Sequence, residues 1–221
     1  MITIRQHGLL VSVLSVGVLF PASYGALAGE PAPPSLERSP VVSGQGDFPV
    51  ALRLHDGRIA VVLRGGAPHV GVKGRLDMVF SSDQGKSWTK PTLVVDSPVD
   101  DRNPALGQAK DGALVVGYLR TANYDDKGRY NPKLNKPINT WVTRSTDGGK
   151  TWSESAEIDV SDIGWGSPYG RILTLADGTM LMPIYGGPVR RPGEKAADTD
   201  NSYLYVPPTA ARPGRATRPP A

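Results

Sequence analysis

The sequence predicts an all-β fold in which four-stranded sheets repeat and stack as the blades of a propeller. Short alternating apolar runs recur between Gly-containing turns, and no stretch sustains a helical period. A box reading S-x-D-x-G-x-x-W occurs twice, at Ser81-Ser82-Asp83-Gln84-Gly85-Lys86-Ser87-Trp88 and Ser145-Thr146-Asp147-Gly148-Gly149-Lys150-Thr151-Trp152, and Asp147 follows Asp83 by 64 residues. A unit of that length holds one four-stranded sheet with generous loops, at the long end for propeller blades. Radial stacking leaves only short, protected edges. A twisted sandwich of the same meanders is the alternative, because strand pattern alone does not separate the two.

The elements follow in a fixed order. The first unit runs from a strand at 50–54 through the turn His55-Asp56-Gly57 to 58–63, then 75–80, the first box and 92–95. The second repeats it with 104–106, Asp111-Gly112, 113–119, a long loop, 139–144, the second box and 156–160. The third opens with 171–175, Asp177-Gly178 and 179–185, and after another long loop reaches 202–205. About two and a half blades are therefore expected over 47–205. In each box the residue types suit a hairpin turn. Asp83 and Asp147 close an Asx-type turn on backbone N–H groups, Ser81 and Ser145 open the boxes, Gly85 and Gly149 supply positive φ, and Trp88 and Trp152 fold over the turn as a small core. That role is structural.

The ends read differently. Residues 1–28 have the form of a secretory signal peptide: Arg5, an apolar run over 8–20, and Ala26-Leu27-Ala28 as a small-x-small cleavage site after Ala28. The expected location is secreted or periplasmic; an N-terminal membrane anchor is the competing reading. Residues 29–46, with Pro31, Pro33, Pro34 and Pro40, read as an extended linker. After Tyr205 the chain turns to Val206-Pro207-Pro208-Thr209-Ala210-Ala211-Arg212-Pro213-Gly214-Arg215, where proline density forbids a strand. Regrouping the codons of that stretch by one base permits Arg-Ser-Thr-Asp-Gly-Gly-Thr-Thr-Trp, a third box where the repeat expects one. The expectation is that 206–221 is a frameshift product and the chain the N-terminal part of a longer propeller; a disordered Pro/Arg tail is the other reading.

Composition excludes several classes of function. The 221 residues, 39% hydrophobic, can bury a real core. A net charge of +4, scattered before the tail, gives no nucleic-acid footprint. There is no cysteine, so disulfides, thiol catalysis and Cys-based metal sites are out, and His7, His55 and His69 are too dispersed for a metal cluster. No cofactor is expected.

The two boxes lie between the third and fourth strands of blades that open with an Ala-Leu or Arg-Ile-Leu strand and a D-G turn. They resemble the Asp-boxes of the sialidase (neuraminidase) superfamily, over about 48–205. The resemblance implies a six-bladed propeller of the sialidase type when complete. It also implies removal of terminal sialic acid from glycoconjugates, with three arginines on the sugar carboxylate, an aspartate acid/base, and a tyrosine nucleophile activated by a glutamate. Non-catalytic propellers carry the box too, so a carbohydrate-binding protein is the alternative. The family's first arginine stands in an R-I-P stretch, and here the matching place reads Phe48-Pro49-Val50 without it. Arg64 fits the arginine that follows. The acid/base aspartate is unmatched; His69 stands near its place, and Asp77 is the nearest later carboxylate. The other catalytic groups belong to later blades.

Meander topology puts the D-G turns and boxes on one face. The opposite face collects the long polar segments near 47–48, 64–74, 96–103, 120–137, 161–170 and 186–201, where binding or catalysis is usually built. There the candidate catalytic residues are His69, as proton shuttle, and Asp101. The candidate substrate-binding residues are Arg64, Asp100, Arg102, Asn103, Trp165, Tyr169 and Arg171. Asp100 and Asp101, adjacent in an extended segment, point to opposite sides, which suits one to the channel and the other to a pair with Arg102; a purely salt-bridged loop is the competing reading. Trp165 suits stacking on a sugar ring or packing in a blade seam. Tyr124, Asp125, Asp126, Arg190 and Arg191 are expected as solvated loop residues. The expected partner is a glycan or glycoconjugate, with no nucleic acid and no stable membrane partner after leader removal.

Overall fold

The computed structural model describes residues 38–187 and 200–207. The expected leader, the linker up to residue 37, Arg190, Arg191 and the tail from residue 208 lie outside the described residues. Among the described residues the fold is all-β, in three sheets. The first is an antiparallel meander of β1 (Asp47–Arg53), β2 (Ile59–Gly65), β3 (Arg75–Ser81) and β4 (Thr92–Val95). The second continues with β5 (Asp100–Gln108), β6 (Leu114–Thr121), β7 (Ile138–Ser145) and β8 (Ala156–Ile158). The third is built from β9 (Ser167–Pro168), β11 (Leu173–Thr174), β12 (Met180–Gly186) and β13 (Asn201–Tyr205). The expected two and a half blades are present in that order.

Two boundaries differ from expectation. The continuous strand expected over 171–175 is broken. β10 (Gly170–Arg171) pairs in parallel with β5 of the preceding sheet, while β9 and β11 pair with β12. Pro168 has no N–H to give and Gly170 sits at φ +92°, so the chain turns out of one ladder and into another. β5 starts earlier than expected, at Asp100. The acidic pair therefore lies in a strand, opposite Thr121 and Arg120 of β6, rather than in a connecting loop.

Packing explains why the middle sheet reads as nearly continuous apolar sequence. β6 is buried on both faces. Leu114, Val116 and Tyr118 join Val62, Met78 and Phe80 of the first sheet in one core cluster. Val115 joins Met180, Met182 and Ile184 of the third sheet in another. At Gly117 the backbones come closest: a Cβ there would lie 2.1 Å from Met182 Sδ. The far face of the first sheet is also covered. Val41 and Val42 pack on Val61, Leu63 and Val79, and Gln45 Nε2 donates to Asp77 Oδ2 at 3.2 Å. Part of the expected linker is thus a cover for this sheet.

The two boxes repeat nearly atom for atom. Ser81 Oγ donates to Asp83 Oδ1 at 2.8 Å and accepts from Gly85 N at 2.8 Å; Ser145 Oγ does the same with Asp147 and Gly149, both at 2.8 Å. The carboxylates then tie down the residue four positions on. Asp83 accepts from Ser87 N and Oγ at 2.9 and 2.5 Å, and Asp147 from Thr151 N and Oγ1 at 3.0 and 2.6 Å. Gly85 and Gly149 both take φ +89°. Gly149 carries a second demand, since a Cβ would sit 2.6 Å from Phe80 Cζ in the neighbouring sheet. Trp88 and Trp152 pack on the apolar clusters beneath.

Candidate functional site

The starts of β1 and β5 and strand β9 come together with the loops at 66–74 and 122–137. The site is built on a buried ion pair. Arg64, at the end of β2, and Asp100, at the start of β5, are both 0% exposed, with Arg64 Nη2 2.7 Å and Nε 3.2 Å from Asp100 Oδ1. Arg64 Nη1 donates to the carbonyls of Ala67 (3.1 Å) and Pro68, and Nη2 to that of Gly71 at 2.9 Å. Asp100 Oδ2 accepts from Tyr124 Oη at 2.5 Å, and that hydroxyl accepts from Gly71 N at 3.1 Å. Burial, then the Asp100 carboxylate, push the Tyr124 phenol up to about 12. The pair passes under Gly74, whose Cβ would lie 2.0 Å from Asp100 Oδ1.

This geometry corrects three expectations. Arg64 and Asp100 do not reach a solute; they are the strut that shapes the 66–74 loop. Tyr124, expected in solvent, is 4% exposed because its hydroxyl completes that strut. Asp101 is also buried, and accepts from Ser97 N at 2.6 Å, Ser97 Oγ at 3.0 Å and Arg120 Nε at 3.0 Å. Burial raises its pKa against the pull of these donors. The two carboxylates do alternate sides, as extended backbone requires, yet neither opens to the channel.

What opens is the next pair of residues. Arg102 and Asn103 line a cleft of about 320 Å³ with Trp165, Tyr185, Tyr130, Val70, Leu119, Thr121 and Ile138. Arg102 Nη1 lies 3.6 Å from Asp100 Oδ2 and Nε donates to Asn103 Oδ1 at 3.4 Å, with the side chain 13% exposed at the cleft. Asn103 Nδ2 donates to Ser167 Oγ at 2.8 Å and Tyr185 Oη at 3.1 Å, and Trp165 meets Tyr185 edge-on at 5.8 Å between centroids. Around this cleft, Arg64, Arg102 and Arg120 face Asp100 and Asp101, so one positive charge is left uncompensated within the network. An aromatic wall, an amide and one guanidinium edge can hold a ring bearing an anionic group.

Beside the cleft lies a shelf. Phe48 stacks against His69 (4.6 Å, tilted), meets Tyr169 edge-on at 6.2 Å, and has the Arg102 guanidinium 5.2 Å over its ring. His69 is 63% exposed at the side chain, with Nδ1 3.7 Å from Asp47 Oδ1. Phe48 and Asn103 share an unusual backbone. Each precedes a proline and takes a left-handed φ, +53° and +51°, at a bulge in the opening strand of its blade. Both conditions are unfavourable for a residue with a Cβ, and strain of this kind gathers at working sites. Arg171 is elsewhere: Nε donates to Ala51 O at 3.3 Å, in a separate groove with Arg53 and Gln108.

Of the expected residues, the fold thus brings Arg102, Asn103 and Trp165 into the cleft and sets His69 and Tyr169 beside it. Tyr130, Tyr185, Asp47 and Phe48 went unselected. Only the repeat gave a sequence signal for Phe48, since Phe48-Pro49 and Asn103-Pro104 each stand eight positions before a D-G turn.

Comparison with known proteins agrees with this architecture. A sialidase of Paraclostridium sordellii is 23% identical over 122 residues, 47% of this chain and 30% of that protein. The Hadza microbial sialidase Hz136 superposes with a TM-score of 0.54 at 18% identity, covering 64% of this chain and 32% of its own. The NanB sialidase of Streptococcus pneumoniae gives 0.52 at 11% identity, covering 76% and 46%. The chain therefore spans about a third to a half of these relatives' lengths, and the sheets are those of a sialidase-type propeller. The BNR repeat-like domain model matches residues 63–204, well over half of the sequence, and the chain belongs to that family.

Proposed function

We propose that the protein handles glycoconjugates ending in sialic acid or a related acidic sugar, and that this chain contributes recognition rather than bond cleavage. The observation that carries the reading is that Arg102 and Asn103 line a cleft walled by Trp165 and Tyr185. A guanidinium edge takes a carboxylate in two parallel hydrogen bonds, and aromatic faces take the apolar side of a sugar ring. The relatives' names as sialidases support the same ligand class. Recognition is favoured over hydrolysis because Asp100 and Asp101 are buried and fully engaged, so neither stands ready to protonate a leaving group.

The test is saturation-transfer NMR with the methyl α-glycoside of sialic acid, beside a fluorogenic sialoside assay. Binding that disappears in Arg102→Ala, without turnover, is expected. Absence of binding by the wild type overturns the reading. Turnover by this chain would establish the hydrolytic alternative, with His69 and Asp47 the first residues to substitute.

A further inference from the structure

We infer that the groove between Arg53 and Arg171, at the other end of the opening strands from the cleft, is a separate binding site for a phosphate group. It is independent of the acidic-sugar reading, because groove and cleft share no residue.

The groove lies where the opening strands run towards their D-G turns. Arg53 ends β1, Gln108 ends β5, and Arg171 and Thr174 lie in β10 and β11. Along β5, Gln108 stands six residues beyond Arg102, which puts about 20 Å of strand between groove and cleft. At about 210 Å³ the groove is smaller than the usual site for a drug-sized molecule. That size suits an ionic group rather than a whole sugar.

Bonds between the blades hold its frame. Gln108 Oε1 accepts from His55 N at 2.8 Å, Thr174 Oγ1 donates to Gln108 O at 2.7 Å, and Arg171 Nε donates to Ala51 O at 3.3 Å. Gln108 Nε2 donates to Gly112 O at 2.9 Å, so its amide is consumed within the protein. Arg171 is thus anchored to the strand that carries Arg53, two residues from it, before any ligand arrives. A guanidinium already held in place loses less freedom on binding.

Charge decides what the groove takes. Arg53 and Arg171 are both exposed, and neither has an ion-pair partner among the described residues. No carboxylate lines the groove. The acidic side chains of the neighbouring turns are engaged: Asp56 with Arg58 at 2.8 Å, Asp111 with Arg144, and Asp177 with Thr179 N at 2.8 Å. Two guanidinium charges therefore line one small groove without compensation, an arrangement that an anion relieves. A carboxylate is satisfied by one guanidinium fork. A phosphate dianion offers a third oxygen and a second charge, which matches two forks, and the His55 imidazole on the groove wall adds a further N–H.

Isothermal titration of the purified chain with methyl phosphate, methyl sulfate and acetate, at neutral pH and an ionic strength fixed with chloride, tests the site. One saturable site for methyl phosphate is expected, about tenfold or more tighter than for either monoanion. Its affinity should fall about tenfold or more in Arg53→Gln and in Arg171→Gln, since each removes charge-assisted hydrogen bonds. Arg53→Gln breaks no side-chain bond of the described fold, so its melting temperature should match wild type and a loss of binding there is a loss of the site. Arg102→Ala should leave methyl phosphate binding unchanged. No saturable binding, or binding that survives both glutamine variants, overturns the inference. Methyl sulfate or acetate binding as tightly as methyl phosphate overturns the phosphate assignment, and loss of binding in Arg102→Ala alone would place the anion in the cleft instead.

Discussion

Arg64 shows how far a single residue's meaning depends on its surroundings. Its guanidinium makes contacts to Asp100 and to the carbonyls of Ala67, Pro68 and Gly71, all within protein. Arg64→Ala leaves Asp100 buried with its main counter-charge gone, and a loss of about 3–5 kcal/mol is expected in urea unfolding. The double variant Arg64→Met with Asp100→Leu removes both charges and should lose clearly less than Arg64→Ala. Equal losses would mean that the pair is not the strut described. An arginine ending a strand beside a polar loop reads as a ligand contact in sequence. It became structural because residue 100, 36 positions away, was brought beside it, and no local pattern announces that pairing. Arg102 went the other way: the Asp-Asp-Arg-Asn run marked the place, and the bulge of β5 at Asn103 set it and Arg102 together at the cleft.

Among the elements, the boxes were the most legible, because every bond that makes them is local. Asp83 accepts from Ser87 Oγ, Ser87 N and Ser81 Oγ, and these donors hold its pKa down to about 2; Asp147 is held low in the same way by Thr151 and Ser145. A carboxyl depressed below its ordinary value of about 4 stabilises the fold above that pH, and the contribution drains away as pH falls towards 2. The melting temperature of Asp83→Asn/Asp147→Asn should therefore lie below wild type at pH 7 and approach it at pH 2.5. A gap that stays constant between the two pH values would show that charge is not what closes these turns. The opening strand of the third blade was the least legible element. Arg171-Ile172-Leu173-Thr174-Leu175 has strand propensity throughout, but Pro168 and Gly170 just upstream divide its pairing between two sheets.

Across the whole molecule, burial is uneven. The middle sheet is covered on both sides, the first is covered on its far face by Val41 and Val42, and among the described residues no apolar cluster covers the third on the side away from Tyr203 and Tyr205. Leu173 there is 53% exposed, Leu204 61% and Tyr185 37%. Apolar surface gathered on one sheet face promotes association. Light scattering of this chain should show self-association at micromolar concentration, and Leu173→Glu with Leu204→Lys should shift it towards monomer without lowering the melting temperature. A wild type that stays monomeric would show that this face is not adhesive.

The sequence by itself determined the fold class, the order of strands, the box geometry and the face on which the cleft lies. All of these follow from short-range rules: alternation at period two, turn chemistry, and a meander that puts every second connection at the same end. Only the tertiary structure decided which polar residues of that face open into the cleft. Arg64, Asp100, Asp101 and Arg102 are indistinguishable in type from what a sugar site needs. Which of them is consumed inside the protein depends on contacts between sheets, and those are fixed by packing across the blade seams rather than by neighbours along the chain.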